Sequence, residues 1–352
     1  MNILVIRTSA MGDVALVSPV LREMKKQYPE VKLTLITRPA FKPFFMESDS
    51  LSLFSLDLVK RHKGLSGLFR LYRDIKKQGR IDRVIDLHDV IRSKILRFFF
   101  KISGIPVSVI EKGRQEKQDL IKGKRKVQLK HTVVRYCEAF ARAGFILKPA
   151  DRQNVIAEFA ALKRADELFS FNLSLKIGVA PYAKHKLKMW PEENMIRLLN
   201  MISEKHNAVF FLFGGREESG KLEEFKKKVK GSLNLAGTLA LEDEIAVMSK
   251  LDFMIAMDSA NMHLAALIGT KVISLWGGTD PLAGFSAWMQ PIEYSIRIPV
   301  DELTCRPCTI YGKGECRRGD LACMNWLTPE IVFSDIQKTG LLEKFSFDKL
   351  KS

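Results

Sequence analysis

The sequence predicts an α/β protein made of two doubly wound parallel-sheet domains. Three observations carry this. The chain has 352 residues, more than one average domain holds and enough for two of about 150 to 200 residues each. Short apolar runs alternate with stretches of helical periodicity through the first half, and the same alternation restarts in the second. Strands separated by helices of this length imply parallel βαβ units.

The elements follow in order. "ILVI" (3–6) is a short buried strand. A helix is expected from about Val14 to Gln27, with Val14, Val17, Val20, Leu21 and Met24 on one face. "VKLTLIT" (31–37) alternates like a strand, "RVIDL" (83–87) is another, and a helix follows near 90–100. In the second half "LKIGVA" (175–180) is a strand. "PEENMIRLLNMISEKH" (191–206) is a helix with Pro and two Glu in its first turn, suited to the helix dipole. "AVFFLFGG" (208–215), "EIAVMSKL" (244–251), "FMIAM" (253–257), "NMHLAALIG" (261–269) and "KVISLWGG" (271–278) continue as strand, helix, strand, helix, strand. These elements predict a first domain over 1–165 and a second over 174–335. The linker is expected near 150–174, and a helical tail over 336–352.

Composition narrows the function classes. Hydrophobic residues make up 46% of the chain, so sizeable cores are possible and global disorder is not expected. No window holds 18 uninterrupted apolar residues, so no transmembrane helix is expected. The start "MNILVIRTSAMGD" lacks the basic segment and long apolar run of a signal peptide, which points to a cytoplasmic protein. The formal net charge of +17 attracts polyanions: nucleic acid, an anionic membrane or phosphorylated substrates. The densest basic stretch, residues 111–131, carries eight Lys and Arg against three acids. As a charge run it reads equally as a solvated loop. It lacks the interleaved aromatics of a single-strand platform and any nucleic-acid-binding signature. An acidic lipid or phosphosugar fits it better than nucleic acid.

Ligands of open α/β sheets bind beyond the carboxyl ends of the strands, so the loops there hold the informative residues. "RTSAMGD" (7–13) is the first. It is either an ordinary strand-to-helix turn or the floor of an active site. "MDSANMHLAALIG" (257–269) runs from a strand into a helix whose first N–H groups suit a phosphate. Ser259 adds a hydroxyl, Asp258 could take a sugar hydroxyl and His263 would face the same end; alone, Asp258 would simply cap the helix. In "WGGTDP" (276–281) Thr279 and Asp280 could meet phosphate or ribose, or form an Asx or ST turn before Pro281. "PYAKHKLKMWPEE" (181–193) holds Lys184, His185, Lys186 and Lys188. An ammonium there would neutralise a pyrophosphate leaving group; a solvated basic loop is the alternative.

Four stretches together resemble one family. "ILVIRTSAMGDVALVSPVLREMKKQYPEVKLTLIT", "KMWPEE", "LFGGREE" and "DSANMHLAALIGTKVISLWGGTDP" occur in the order found in glycosyltransferase family 9, the ADP-heptose:lipopolysaccharide heptosyltransferases. The resemblance spans both halves. It implies a GT-B fold, two Rossmann-like domains facing across a cleft, and inverting sugar transfer from a nucleotide donor with no metal required. It implies Asp13 as catalytic base and Lys188 as holder of the donor diphosphate. Lys184, Glu217 (or Glu218), Asp258, Ser259, Ala260, Met262, His263 and Thr279 would bind the donor. Arg7, Ser9, Ala10, Met11, Gly12 and Arg92 would bind the acceptor, with the two arginines on its acidic groups. The helix dipole at Asp13 would favour the ionised form a base requires.

The implied partners are an ADP-sugar, a lipopolysaccharide-core or lipid A-linked acceptor, and the anionic inner face of the inner membrane. Four positions depart from the family pattern. Ala260 replaces a glycine of Asp-Ser/Thr-Gly, Gly278 replaces the proline of Gly-Pro-Thr-Asp-Pro, and His88-Asp89 stands where Gln-Gly is usual.

Cys305, Cys308, Cys316 and Cys323 follow the spacing C-x2-C-x7-C-x6-C. They could hold a structural zinc, pack as reduced thiols or serve a redox role; disulfides are not expected in a cytosolic protein. Arg306, Arg317 and Arg318 between them would extend a positive edge. Two other classes compete with transfer to lipopolysaccharide. A glycosyltransferase for another nucleotide sugar and surface glycan is one, and a non-catalytic binder of anionic ligands is the other. A nicotinamide oxidoreductase is excluded, since no G-x-G-x-x-G follows any strand.

Overall fold

The computed structural model describes residues 1–169 and 174–343. In chain order its elements begin with β1 (Asn2–Ile6), α1 (Met11–Ala15), α2 (Ser18–Gln27), β2 (Lys32–Thr37), β3 (Leu51–Ser55), α3 (Gly64–Lys77), β4 (Arg83–Asp86), α4 (Ile91–Ile102), β5 (Val107–Val109), α5 (Arg114–Ile121) and α6 (Thr132–Ala141). Then come α7 (Phe159–Asp166), β6 (Leu175–Ala180), α8 (Glu192–Lys205), β7 (Ala208–Leu212), α9 (Ser219–Lys228), β8 (Ser232–Asn234), α10 (Leu241–Ser249), β9 (Phe253–Met257), α11 (Ala260–Ile268), β10 (Lys271–Leu275), β11 (Ser295–Ile296), α12 (Ala322–Asn325) and α13 (Pro329–Lys338). Of the expected tail helix over 336–352, positions 336–338 end α13, and 344–352 lie outside the described residues.

The chain divides into two compact units. One comprises Met1–Gly113 and Lys130–Ile156; the other comprises Arg114–Leu129 and the chain from Ala157 onward. The first holds a five-stranded sheet in the order β3-β2-β1-β4-β5, the second a six-stranded sheet in the order β11-β10-β9-β6-β7-β8. Every strand pair in both sheets is parallel. Each order is the Rossmann pattern, reversing between β1 and β4 in the first sheet and between β6 and β9 in the second. Central strands covered by helices on both faces are apolar throughout, as in Ile3–Ile6 and Phe253–Met257. Of the four edge strands β3 has five residues, while β5, β8 and β11 have three, three and two. Runs that short carry no readable period, which is why the sequence did not announce them.

The single helix expected over 14–27 is two. Pro19 has no N–H to give the Ala15 carbonyl, so the i to i−4 ladder stops there. The Ser18 hydroxyl donates to that carbonyl instead, at 2.7 Å, and α2 starts afresh with Pro19 in its first turn. The short α1 therefore stands apart, directly after the β1 loop.

The basic stretch 111–131 is not a solvated loop. Leu120 and Leu129 are buried in a small apolar cluster with Ala283 and Ile310. The Leu129 N–H donates to the Leu282 carbonyl at 2.8 Å, and Lys126 Nζ donates to Val300 O at 2.8 Å. Lys117 lies 4.3 Å over the Phe285 ring. The segment thus packs against residues 281–310 of the second unit. Its charges masked the two leucines that decide where it goes.

Candidate active site

In the first unit the loops after β1 and β4 meet where the strand order reverses. Arg7 and Asp13 pair at 2.8 Å. The Arg7 guanidinium is buried, donates to Leu87 O at 2.6 Å and lies 5.7 Å from the Tyr136 ring. Asp13 Oδ2 also accepts from the Ala10 N–H at 3.3 Å, and the Tyr136 hydroxyl donates to Asp13 O at 3.0 Å. Both side-chain partners of Asp13 thus sit on Oδ2, and the carboxylate is about a third exposed. Arg7 is spent within the unit, on the carboxylate and the β4 loop. Ala10 and Met11 are exposed, Ser9 is half-buried and Gly12 is buried. Arg92 is exposed at the start of α4.

His88 bridges the two loops. Its Nδ1 lies 3.0 Å from Thr8 Oγ1 and its Nε2 3.3 Å from Ser9 Oγ. Burial, then the charges of Arg7 and Lys112, hold the imidazole neutral and push its pKa down to about 3. The buried Asp86 accepts from the N–H groups of His88 and Asp89 at 2.8 and 2.9 Å and from Arg97 at 2.8 Å. Asp89 has φ 44°, the left-handed region that favours glycine and that aspartate tolerates. The glycine usual at this position of the family pattern has a physical reason, and Asp89 meets it by a different residue.

In the second unit the loops after β6, β9 and β10 converge at the corresponding reversal. Lys188 Nζ pairs with Asp258 Oδ2 at 2.8 Å, and the Thr279 hydroxyl donates to the same oxygen at 2.8 Å. All three side chains are largely buried. Ser259 caps α11 with extended backbone, and its side chain makes no capping bond. Its hydroxyl is buried without a partner. The first-turn N–H groups of Ala260, Asn261 and Met262 open at the same point. The Met262 and His263 side chains are buried. Lys184 is exposed, and burial lowers the His185 pKa, helped by Lys188, Lys184 and Lys313. Glu218 is occupied in accepting from the Gly215 N–H at 2.8 Å. Glu217 is exposed and unengaged.

Two residues that position this site were misread or missed. Arg306 is not a surface cation. It is fully buried and donates to the carbonyls of Gly277 at 2.6 Å and Thr279 at 2.9 Å, and also to Ile298 O. Its guanidinium lies 3.3 Å from Asp280. It therefore holds the β10 loop in shape. Asp280 in turn accepts from the Leu282 N–H at 2.9 Å, so of the two alternatives it takes the turn. Gly312 has φ 79°, and a β-carbon there would come within 2.7 Å of Lys188 Cγ. Only glycine fits beside the lysine stem. Neither residue could be found by spacing, because both reach the site from a loop without periodic structure.

The four clustered cysteines are free thiols. Burial raises Cys308, helped by Cys305 and Cys316, and pushes Cys323 up to about 11, where Cys308, Cys305 and Cys316 add to the effect. Among the described residues no three of His, Cys, Asp or Glu form a metal-ligand group. Cys308 Sγ approaches the Gly278 carbonyl at 3.6 Å, so this thiol packs against the β10 loop.

Comparison with known proteins agrees with this architecture. The family profile of glycosyltransferase family 9 (heptosyltransferase) matches residues 68–314. The lipopolysaccharide core heptosyltransferase OpsX of Haemophilus influenzae is 24% identical, over 80% of this chain and 80% of its own. Lipooligosaccharide heptosyltransferase 2 of the same organism is 25% identical over 80% of this chain and 84% of its own. Among solved structures, the family 9 glycosyl transferase of Veillonella parvula superposes with a TM-score of 0.76 at 18% identity, covering 97% of both chains. The ADP-heptose heptosyltransferase II of E. coli superposes with 0.67 at 18% identity, covering 98% of this chain and 99% of that one. The fold is therefore GT-B, and this chain belongs to glycosyltransferase family 9, the heptosyltransferases.

Proposed function

We propose that this glycosyltransferase moves a heptose from ADP-heptose to a lipopolysaccharide-core acceptor, with inversion and without a metal in the transfer step. The observation that carries the donor half is the start of α11. Free first-turn N–H groups, the unpartnered Ser259 hydroxyl and the Lys188 ammonium 2.8 Å from Asp258 form a site suited to a diphosphate. Glu217 is the carboxylate available for the ribose, and Lys184 adds charge at the rim. The second unit, read as 174–335, would take the donor, and the first, read as 1–165, the acceptor.

Asp13 is the base in this reading. Its Oδ2 is fixed by Arg7 and the Ala10 N–H, leaving Oδ1 to accept the proton of the acceptor hydroxyl. Inversion needs one displacement, with that hydroxyl opposite the departing ADP. The anomeric carbon becomes oxocarbenium-like as the carboxylate removes the proton, as in the base half of an inverting glycosidase. Charge growing on the leaving diphosphate falls on Lys188 and the α11 amides, donors already in place. Arg7 is buried, so it acts by orienting Asp13, and Arg92 is the cation left to meet acidic acceptor groups. Ser9, Ala10, Met11 and Gly12 give the acceptor a low backbone surface. The acceptor is lipid-linked in this reading, so the enzyme works at the anionic cytoplasmic face of the inner membrane.

The test is turnover with ADP-heptose, ADP-glucose, GDP-mannose and UDP-glucose on a Kdo-lipid A acceptor, with and without EDTA. Transfer from ADP-heptose that survives EDTA is expected. Transfer from another nucleotide sugar alone would move the protein to a different surface glycan. Tight ADP binding with no transfer from any donor would favour a non-catalytic binder.

A further inference from the structure

Helices α3 and α4 lie side by side in the first unit. The Phe69 and Phe99 rings meet edge to face at 5.4 Å, and the hydroxyls of Tyr72 and Ser103 bond at 2.7 Å. Each helix buries one apolar stripe: Leu68, Leu71 and Ile75 from α3, Leu96 and Phe100 from α4. Each also carries a second stripe that stays in solvent. Leu65 and Phe69 are 70% and 46% exposed, and Ile91, Phe98 and Ile102 are 76%, 56% and 65% exposed. The spacings of four within α3, and of seven and four within α4, put each stripe on one helical face.

Charge surrounds these stripes on one sign only. The two helices hold eight Lys and Arg and a single acid, Asp74. Arg97 is spent on Asp86 and Asp89, but Arg70, Arg73, Lys76, Lys77 and Lys101 are exposed. Scattered exposed apolar residues are ordinary; five large ones on two adjacent helices mark an interaction surface. Interfaces with proteins are depleted in lysine, whereas Lys and Arg around exposed Phe, Leu and Ile match a surface that lies in a lipid headgroup layer.

We propose that the α3–α4 face docks on an anionic lipid leaflet. Leu65, Phe69, Ile91, Phe98 and Ile102 enter the boundary of headgroups and acyl chains, and the cations sit at phosphate level. Both helices start at the carboxyl ends of strands, the end of the sheet that carries the Arg7–Asp13 loop. A lipid-linked sugar on that leaflet is thereby offered to the acceptor loop. This deepens the proposed function by naming the surface that serves a lipid acceptor.

The experiment is co-sedimentation of the full chain with phosphatidylethanolamine vesicles containing 30% phosphatidylglycerol, and with phosphatidylcholine vesicles alone. The wild type is expected on the anionic vesicles only. The double variant Phe98→Ser/Ile102→Ser is expected to lose at least tenfold in partition, and Lys76→Glu/Lys101→Glu as much. The ADP-induced rise in Tm, measured beside it, should be unchanged in both variants and shows that they are folded. Equal sedimentation of wild type and variants, or of neither, overturns the proposal. So does a wild-type dimer that the apolar variant dissociates while vesicle binding is absent, because the face is then a contact between copies. Failure of heptosyl transfer with a delipidated acceptor would overturn the proposed function and leave the vesicle result standing.

Discussion

Asp13 has both side-chain partners on one oxygen, and this asymmetry is what a base needs. Arg7 and the Ala10 N–H fix Oδ2, while Oδ1 stays open. Asp13→Asn keeps the shape and removes the basic oxygen, so kcat should fall by 10² or more, with ADP affinity within twofold of wild type by calorimetry. Turnover near wild type would take the base role from Asp13. His88 gives a prediction of a different kind. Its pKa is about 3 in the fold and near 6.5 unfolded. The unfolded chain therefore binds the extra proton first, and stability is lost as pH falls from 6.5 toward 3. The loss is about 2 kcal/mol at pH 5. His88→Gln can still reach Thr8 or Ser9 but cannot ionise. Its denaturant midpoint should change less between pH 7 and pH 5 than that of wild type; parallel curves would show that His88 does not titrate on unfolding.

At the scale of elements, the start of α11 is the most specific feature. The N-cap hydroxyl of Ser259 bonds neither its own helix nor a neighbour. A buried unpartnered hydroxyl costs stability, so its retention points to a ligand that completes it. Ser259→Ala should weaken ADP binding roughly 3- to 15-fold, about one ordinary hydrogen bond. Lys188→Ala should weaken it about 10- to 100-fold, a charged one. The apoprotein should lose little stability with Ser259→Ala, because no bond is broken there. Equal ADP affinity in both variants and the wild type would move the diphosphate elsewhere. The break between α1 and α2 shows how local chemistry sets a site. Pro19 and Ser18 end the ladder at Ala15, so α1 is free to follow the β1 loop.

On the scale of the molecule, the same strand order is used twice, and each copy gathers its polar residues where the order reverses. The net charge of +17 is unevenly used. Lys117 and Lys126 are consumed in packing the 114–129 segment, and Arg306 in holding a loop, while α3 and α4 leave all of theirs but Arg97 in solvent. No helix among the described residues is long and apolar enough to cross a membrane.

The sequence by itself determined the parallel α/β class, the strands that build both sheet centres, and the loops that matter. Apolar runs of period two and stripes of period 3.6 are local properties, written in consecutive residues. Asp258-Ser259 follows β9 directly, and Gly12-Asp13 and Lys188 lie between β1 and α2 and between β6 and α8, so their places in the fold could be read from the runs around them. Only the tertiary structure decided that Arg7 orients Asp13 and does not face solvent. The same holds for the Tyr136 hydroxyl donating to Asp13 O, the Glu218 carboxylate accepting from the Gly215 N–H, and the burial of Arg306 beneath the β10 loop. It also decided that a run of lysines packs through Leu120 and Leu129. Those are contacts between residues far apart in the chain or outside any period. A hydrogen-bond partner is chosen by proximity in the fold, which composition and spacing do not encode.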